Sequence, residues 1–118
     1  MTPRNSPPAA VDLAWQLMVW LDGHLVHLPA HTRAALGARA LDAAVDLLGA
    51  LLVAAYAPRA TDEHTAALRR AAQRINLLRY LLRALHARRH LSDAQHEHVA
   101  TSLDAIGRMT AAWRRPSP

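Results

Sequence analysis

Two prolines, Pro29 and Pro58, interrupt a chain otherwise made almost entirely of helix-forming residues, and they decide how it can be divided. Proline lacks an N–H and clashes with the preceding turn, so a helix must stop at or just before each one. Between these breaks Ala and Leu recur at helical spacing, and only four glycines occur in 118 residues. Ala and Leu are among the strongest helix formers. The first helix opens behind Ser6-Pro7-Pro8, because Pro is tolerated in a first turn, and runs from about Ala9 to Leu28. The second begins between Ala30 and Arg33 and runs to Ala57. Thr61 or Asp62 caps the third, Glu63 suits its first turn, and it continues to about Arg89. Ser92 and Gln95 form a capping box for the fourth, which reaches about Arg115 before Pro116. No strand pattern and no internal repeat is visible. The short connections make consecutive helices antiparallel neighbours, so the expected fold is an all-α, antiparallel up-down four-helix bundle. The expected organisation is a flexible tail over 1–8, one domain over 9–115 and a short tail over 116–118.

The apolar faces carry the next constraint. The fourth helix has one ordinary stripe, Val99, Leu103, Ile106 and Trp113. The second helix has two. Leu36, Ala40, Ala43, Leu47 and Leu51 make one, and Leu41, Val45, Leu48 and Leu52 make another about 120° away at 100° per residue. Only Arg39, Asp42 and Asp46 form a polar strip. The first helix repeats this, with Val11, Trp15, Met18 and Leu25 on one side and Leu13 and Trp20 on the other. A helix of a monomeric bundle buries one stripe, so the surplus needs a partner, most simply a second copy. Leu13, Trp20, Leu41, Val45, Leu48 and Leu52 are the expected interface of a homo-oligomer. The alternative is an irregular monomer that tolerates exposed Leu and Ala.

Charge is segregated. Residues 64–92 hold seven arginines (Arg69, Arg70, Arg74, Arg79, Arg83, Arg88 and Arg89) and no acid. The rest of the chain has seven arginines against nine acids, so the net +5 is +7 on one segment and −2 elsewhere. Such segregation points to a polyanionic partner. No lysine is present. Arginine pairs two-pronged with phosphate and stacks on bases, although codon bias produces the same preference. On the third helix Ile75, Leu78, Leu82 and Leu85 form the core stripe, flanked by Arg69, Asn76, Arg79 and Arg83 on one edge and Arg70, Arg74 and Arg88 on the other. Repeated charges along a surface are what phosphate contacts need. The alternative is a solvated face whose arginines pair with Asp42 and Asp46. Tyr80 sits among the arginines, where it could stack on a base. Taken alone, it is expected instead to pack, with a hydrogen-bonded hydroxyl.

Other chemistry is poorly served. There is no cysteine, which excludes disulfides, thiolate metal sites and thiol nucleophiles. Its absence fits a reducing, cytoplasmic setting. The N-terminus has no apolar core of a signal peptide, and the longest apolar run, Leu47 to Ala57, is too short to span a bilayer. Among eight histidines, His86 and His90 have metal-pair spacing and His24, His27 and His31 cluster, but no converging carboxylates accompany them. Surface histidines, without a bound metal or other cofactor, are expected. No phosphate loop, nucleophile elbow or paired carboxylates with a positioned base occur, so no catalytic residue is assigned. Asp22 is expected to bond an arginine across the bundle.

Several segments together resemble the accessory variability determinant of diversity-generating retroelements, within the wider group of small four-helix proteins that includes those encoded in 23S ribosomal RNA intervening sequences. They are His27-Leu28-Pro29 leading to Arg33, Leu36-Gly37-Ala38-Arg39, Leu51 to Tyr56, Arg79-Tyr80-Leu81-Leu82-Arg83, and Leu103-Asp104-Ala105-Ile106-Gly107-Arg108-Met109 with Trp113. The resemblance covers about residues 11–115, and its most specific part is Ile106 to Met109 with Trp113 after an Arg-rich helix. It implies a non-enzymatic partner of a reverse transcriptase, a barrel-like pentamer whose basic surface binds template RNA or cDNA during mutagenic copying. The Arg-only, His-rich character departs from family members rich in lysine. The intervening-sequence branch implies an RNA-associated bundle with no polymerase partner.

Overall fold

The computed structural model describes residues 7–114, which form helices and short connections without a strand. Four long helices make up the fold: α1 (Pro7–Leu25), α2 (Ala38–Tyr56), α3 (Asp62–Ala87) and α4 (Asp93–Arg114). An α-helical turn, Ala30–Thr32, and a π-helical stretch, Arg33–Gly37, lead into α2. Each helix packs on its chain neighbours, and α1 also packs on α4, which closes the four into a ring; the α2–α3 seam is the most extensive. The body measures 48 × 24 × 21 Å.

The punctuation follows the chain's local chemistry, with small shifts. The first helix opens at Pro7, two residues before the expected start; residues 1–6 of the expected tail, and 115–118 at the other end, lie outside the described residues. It also ends at Leu25 rather than Leu28. The last turn before Pro29 is made by short bonds, His27 N–H to the His24 carbonyl and Leu28 N–H to the Leu25 carbonyl, both at 3.1 Å. Thr61 caps α3 by accepting from the His64 amide at 3.1 Å. The capping box on α4 is complete: the Ser92 amide donates to Gln95 Oε1 at 2.9 Å, and the Gln95 amide donates to Ser92 Oγ at 3.1 Å. Gly37 closes the π-helical stretch. A Cβ there would meet Leu25 Cδ2 at 3.0 Å and the Thr32 carbonyl oxygen at 3.2 Å, so a residue without a side chain lets the start of α2 close on the end of α1.

The core is one cluster of Leu, Ala, Ile, Val and Trp113. On α2 its lining alternates small and large: Ala40, Ala43, Ala44, Leu47, Ala50, Leu51 and Ala54 are buried. Small residues let helix axes approach, and leucines fill the remaining space. The stripe expected on α4 is buried as read. The one on α1 is not. Its buried face is Ala10, Ala14, Leu17, Leu21 and Leu25, while Val11 and Met18 are half-buried and Trp15 is 52% exposed. With apolar residues nearly all round, the spacing sets the period of α1 but not its rotation.

The α2–α3 turn contains a device that spacing does not reveal. Ala54 would give its carbonyl to the amide four residues on, but that residue is Pro58, which has none. His64 Nδ1 donates to this carbonyl at 3.0 Å instead. The imidazole is 6% exposed, and its Nε2 has no partner.

The C-terminus of α3 closes in a Schellman arrangement, with the Arg89 amide bonded to the His86 carbonyl at 3.0 Å and the His90 amide to the Leu85 carbonyl at 2.8 Å. That places Arg89 at φ 62°, where glycine is the relaxed choice. Arg89→Gly is expected to raise stability by about 1 kcal/mol. Urea unfolding checks this, and a loss of stability would mean that the Arg89 side chain contributes more to the fold than its backbone costs.

Candidate nucleic-acid interface

The arginines of α3 and of the turn that ends it separate into two groups once their neighbours are in place. Three are held. Arg70 Nη2 and Arg74 Nε both reach Asp46 Oδ2 on α2, at 3.0 and 3.1 Å. The Arg74 contact is an ion pair without hydrogen-bond alignment. Arg79 Nη1 donates to Asp104 Oδ1 on α4 at 2.7 Å. A Cβ on Gly107 would sit 3.8 Å from Arg79 Nη2, so Asp104 and Gly107, one turn apart, form a seat for this guanidinium. These clamps tie α3 to both flanking helices. The expected pairing with α2 is realised at Asp46; Asp42 makes no ion pair among the described residues.

The other four, Arg69, Arg83, Arg88 and Arg89, are exposed and have no ion pair among the described residues. Arg69 and Arg83 share the outward face of α3 with Gln73, Asn76, Leu77 and Tyr80, all exposed. Tyr80 is 68% exposed, and among the described residues its hydroxyl has no hydrogen bond. The packing role expected for it is therefore wrong: Tyr80 lies on the side of α3 opposite Ile75 and Leu78, where no other helix covers it. Gln73 escaped the sequence reading, although its place one turn from Arg69 and Asn76 marks it. Carboxylates border this strip: Asp46 and Asp42 on the α2 side, Asp104 on the α4 side, and Asp62 and Glu63 at the start of α3.

The apolar surplus is placed in two ways. Leu13, Trp20, Leu41 and Leu48 are half-buried against the core. Val45 and Leu52 are exposed, and Val53 and Tyr56 extend them into a solvent-facing stripe along α2. The last two were missed, although they continue the i, i+4, i+7, i+8 spacing from Val45. An open groove of about 600 Å³ runs beside this stripe between α2 and α3, with Val45, Gly49, Val53, Ala66, Glu63 and Arg70 along it. Trp15 and Val19 on α1, with Val26 in the turn after it, are further exposed apolar residues.

The histidines are not simply surface groups. Seven of the eight lie near the end of the bundle where α1 and α3 finish and α4 begins. His24 Nε2 donates to the His90 carbonyl at 2.8 Å, His90 Nε2 lies 3.3 Å from Thr32 Oγ1, and His24 stacks on Trp20 at 5.2 Å. His86 Nε2 donates to Asp93 Oδ1 at 2.7 Å while its ring stacks on His96 at 4.3 Å. The hydrogen bond from His86 holds the Asp93 carboxyl below its ordinary range, with the charge of His86 adding to it. A depressed carboxylate stabilises the fold above its unfolded pKa and loses that contribution as pH falls through the folded value. Among the described residues no three His, Asp or Glu side chains converge as a metal site. Asp22 is exposed and bonds no arginine among the described residues.

Fold and site together define an all-helical four-helix protein with one arginine-rich, aromatic-bearing outer face. Among its described residues no helix is long and apolar enough to cross a membrane. No protein-family model, curated protein or solved structure matches the chain.

Proposed function

We propose that this protein is a non-enzymatic accessory factor of a diversity-generating retroelement, binding nucleic acid and the element's reverse transcriptase to support mutagenic copying of template RNA into cDNA. The observation that carries the nucleic-acid part is the strip of unpaired arginines on α3 bordered by carboxylates. Arginines that cancel acids serve the fold; arginines left free along one face serve a polyanion. The polymerase part rests on the resemblance over residues 11–115.

The protein acts without a cofactor, in the cytoplasm, as an antiparallel up-down bundle assembled into a homo-oligomer, with a barrel-like pentamer the expected form. The short connections and neighbour-to-neighbour packing support the up-down order. The exposed stripe Val45, Leu52, Val53 and Tyr56 supports assembly. By holding RNA and polymerase together, the assembly raises their effective concentration without doing chemistry.

The test is reconstitution. Mixed with a reverse transcriptase encoded beside it, the protein should co-purify as one oligomer by light scattering and permit cDNA synthesis that the polymerase alone makes poorly. Robust synthesis without it, or no association, would move the assignment to the RNA-associated bundle of the intervening-sequence type. A clean monomer at all concentrations would remove the assembly argument.

A further inference from the structure

We propose that the outward face of α3 is a single-strand platform: Tyr80, with Leu77 beside it, stacks an unpaired base while Arg83 holds a phosphate next to that base and Arg69 holds one further along the same strand. This rests on the nucleic-acid reading above and specifies the ligand class, single-stranded RNA or DNA rather than duplex.

Width is the first argument. On this face of α3 Arg69 and Arg83 have no ion pair among the described residues, while the arginines at its margins are held, Arg70 and Arg74 by Asp46 on α2 and Arg79 by Asp104 on α4. A duplex presents two phosphate rows separated by a groove, whereas this face offers one row of unpaired guanidinium groups. A single strand presents one row, which the strip can follow from Arg69 to Arg83, about 21 Å at 1.5 Å per residue.

The second argument is the aromatic ring. Tyr80 is 68% exposed, its hydroxyl has no hydrogen bond among the described residues, and it sits within one turn of both Asn76 and Arg83. In a duplex the flat faces of bases are stacked on one another, so a side chain meets only their edges. An unpaired base offers its face, and a tyrosine ring stacks on it whatever the sequence. Leu77, also exposed, widens the apolar floor. Gln73 and Asn76 place amides on the same face, where they can bond the free edges of a splayed base.

The third argument is rigidity. The clamps Arg79–Asp104 at 2.7 Å and Arg70–Asp46 at 3.0 Å pin the platform helix to both neighbours, so the ring and the two free guanidinium groups keep their spacing. Pre-set spacing lowers the entropy lost when a flexible strand is captured.

The experiment compares a labelled oligouridine strand, an oligothymidine strand and a duplex of matched length by fluorescence anisotropy, using the full chain. The parent should bind both single strands more tightly than the duplex. Tyr80→Ala should weaken single-strand binding about tenfold and leave duplex binding within about twofold. Tyr80→Trp and Tyr80→Phe should restore the affinity, since the ring and not the hydroxyl carries the contact. Equal affinity of the parent for strand and duplex, or the same loss on both in Tyr80→Ala, overturns the platform. Binding by the parent that Tyr80→Ala leaves unchanged overturns it too, while the nucleic-acid reading survives. A parent that binds none of the three probes overturns that reading itself.

Discussion

Replacing Arg69 and Arg83 together with glutamate is expected to lower affinity for a nucleic-acid strand about a hundredfold at low salt. Each free guanidinium supplies a charge-assisted contact of roughly 1.5 kcal/mol, and two such losses amount to about two powers of ten. The carboxylates add repulsion, so the figure is a lower bound. Two fewer phosphate contacts should also flatten the dependence of log affinity on log salt by about 1.4 for a single strand. These two residues are chosen because neither is held by an acid among the described residues, whereas Arg79 is seated on Asp104. Reversing Arg79 would place two carboxylates together and loosen the α3–α4 seam, confounding binding with stability. Circular dichroism should show unchanged helicity in the Arg69/Arg83 variant, because both side chains lie in solvent. Undiminished binding, with the original salt slope, would mean that the polyanion contacts another surface.

His64→Ala is expected to destabilise the fold by about 3 kcal/mol. It empties a buried site and strips the Ala54 carbonyl of the donor that Pro58 cannot provide. Against a total of about 6–18 kcal/mol for a chain of this size, that is a large fraction. Two further substitutions separate the contributions. His64→Leu keeps most of the volume and loses the bond, so it isolates the unsatisfied carbonyl. His64→Asn offers an amide N–H near the position of Nδ1 and should recover part of the loss. Equilibrium urea unfolding of the three variants decides the matter. If Ala and Leu both unfold like the parent, the bond to Ala54 contributes nothing and the turn is held by Thr61 alone.

The helix boundaries were readable because the rules that set them act within a few residues. Pro29 and Pro58 forbid continuation through their own missing amides, and Ser92 reaches Gln95 across a single turn. The core stripe of α3 was readable for a related reason: with arginines on both edges, only one rotation hides Ile75, Leu78, Leu82 and Leu85. On α1 that argument fails. Trp15 and Leu17 are both apolar, their spacing fits two rotations equally, and only contact with α2 and α4 selects the one that buries Leu17 and Leu21 and leaves Trp15 outside.

The site divides the same way. That the third helix carries the free positive charge was in the sequence, since seven arginines and no acid occupy residues 64–92. Which arginines are free was not. Asp46 and Asp104 lie 24 and 25 residues from Arg70 and Arg79, and no local pattern pairs groups so far apart along the chain. Tyr80 shows the limit most clearly. Its position among arginines fits a packed ring and an exposed one alike, and the difference is whether α2 or α4 covers that side of α3; neither does. By itself, then, the sequence determined helix type, helix ends and the segregation of charge, because sterics, capping and composition are local or additive. Only the tertiary structure decided which apolar face is core, which arginines are neutralised and where the buried imidazole of His64 finds its carbonyl, because burial and ion pairing depend on what distant segments bring alongside.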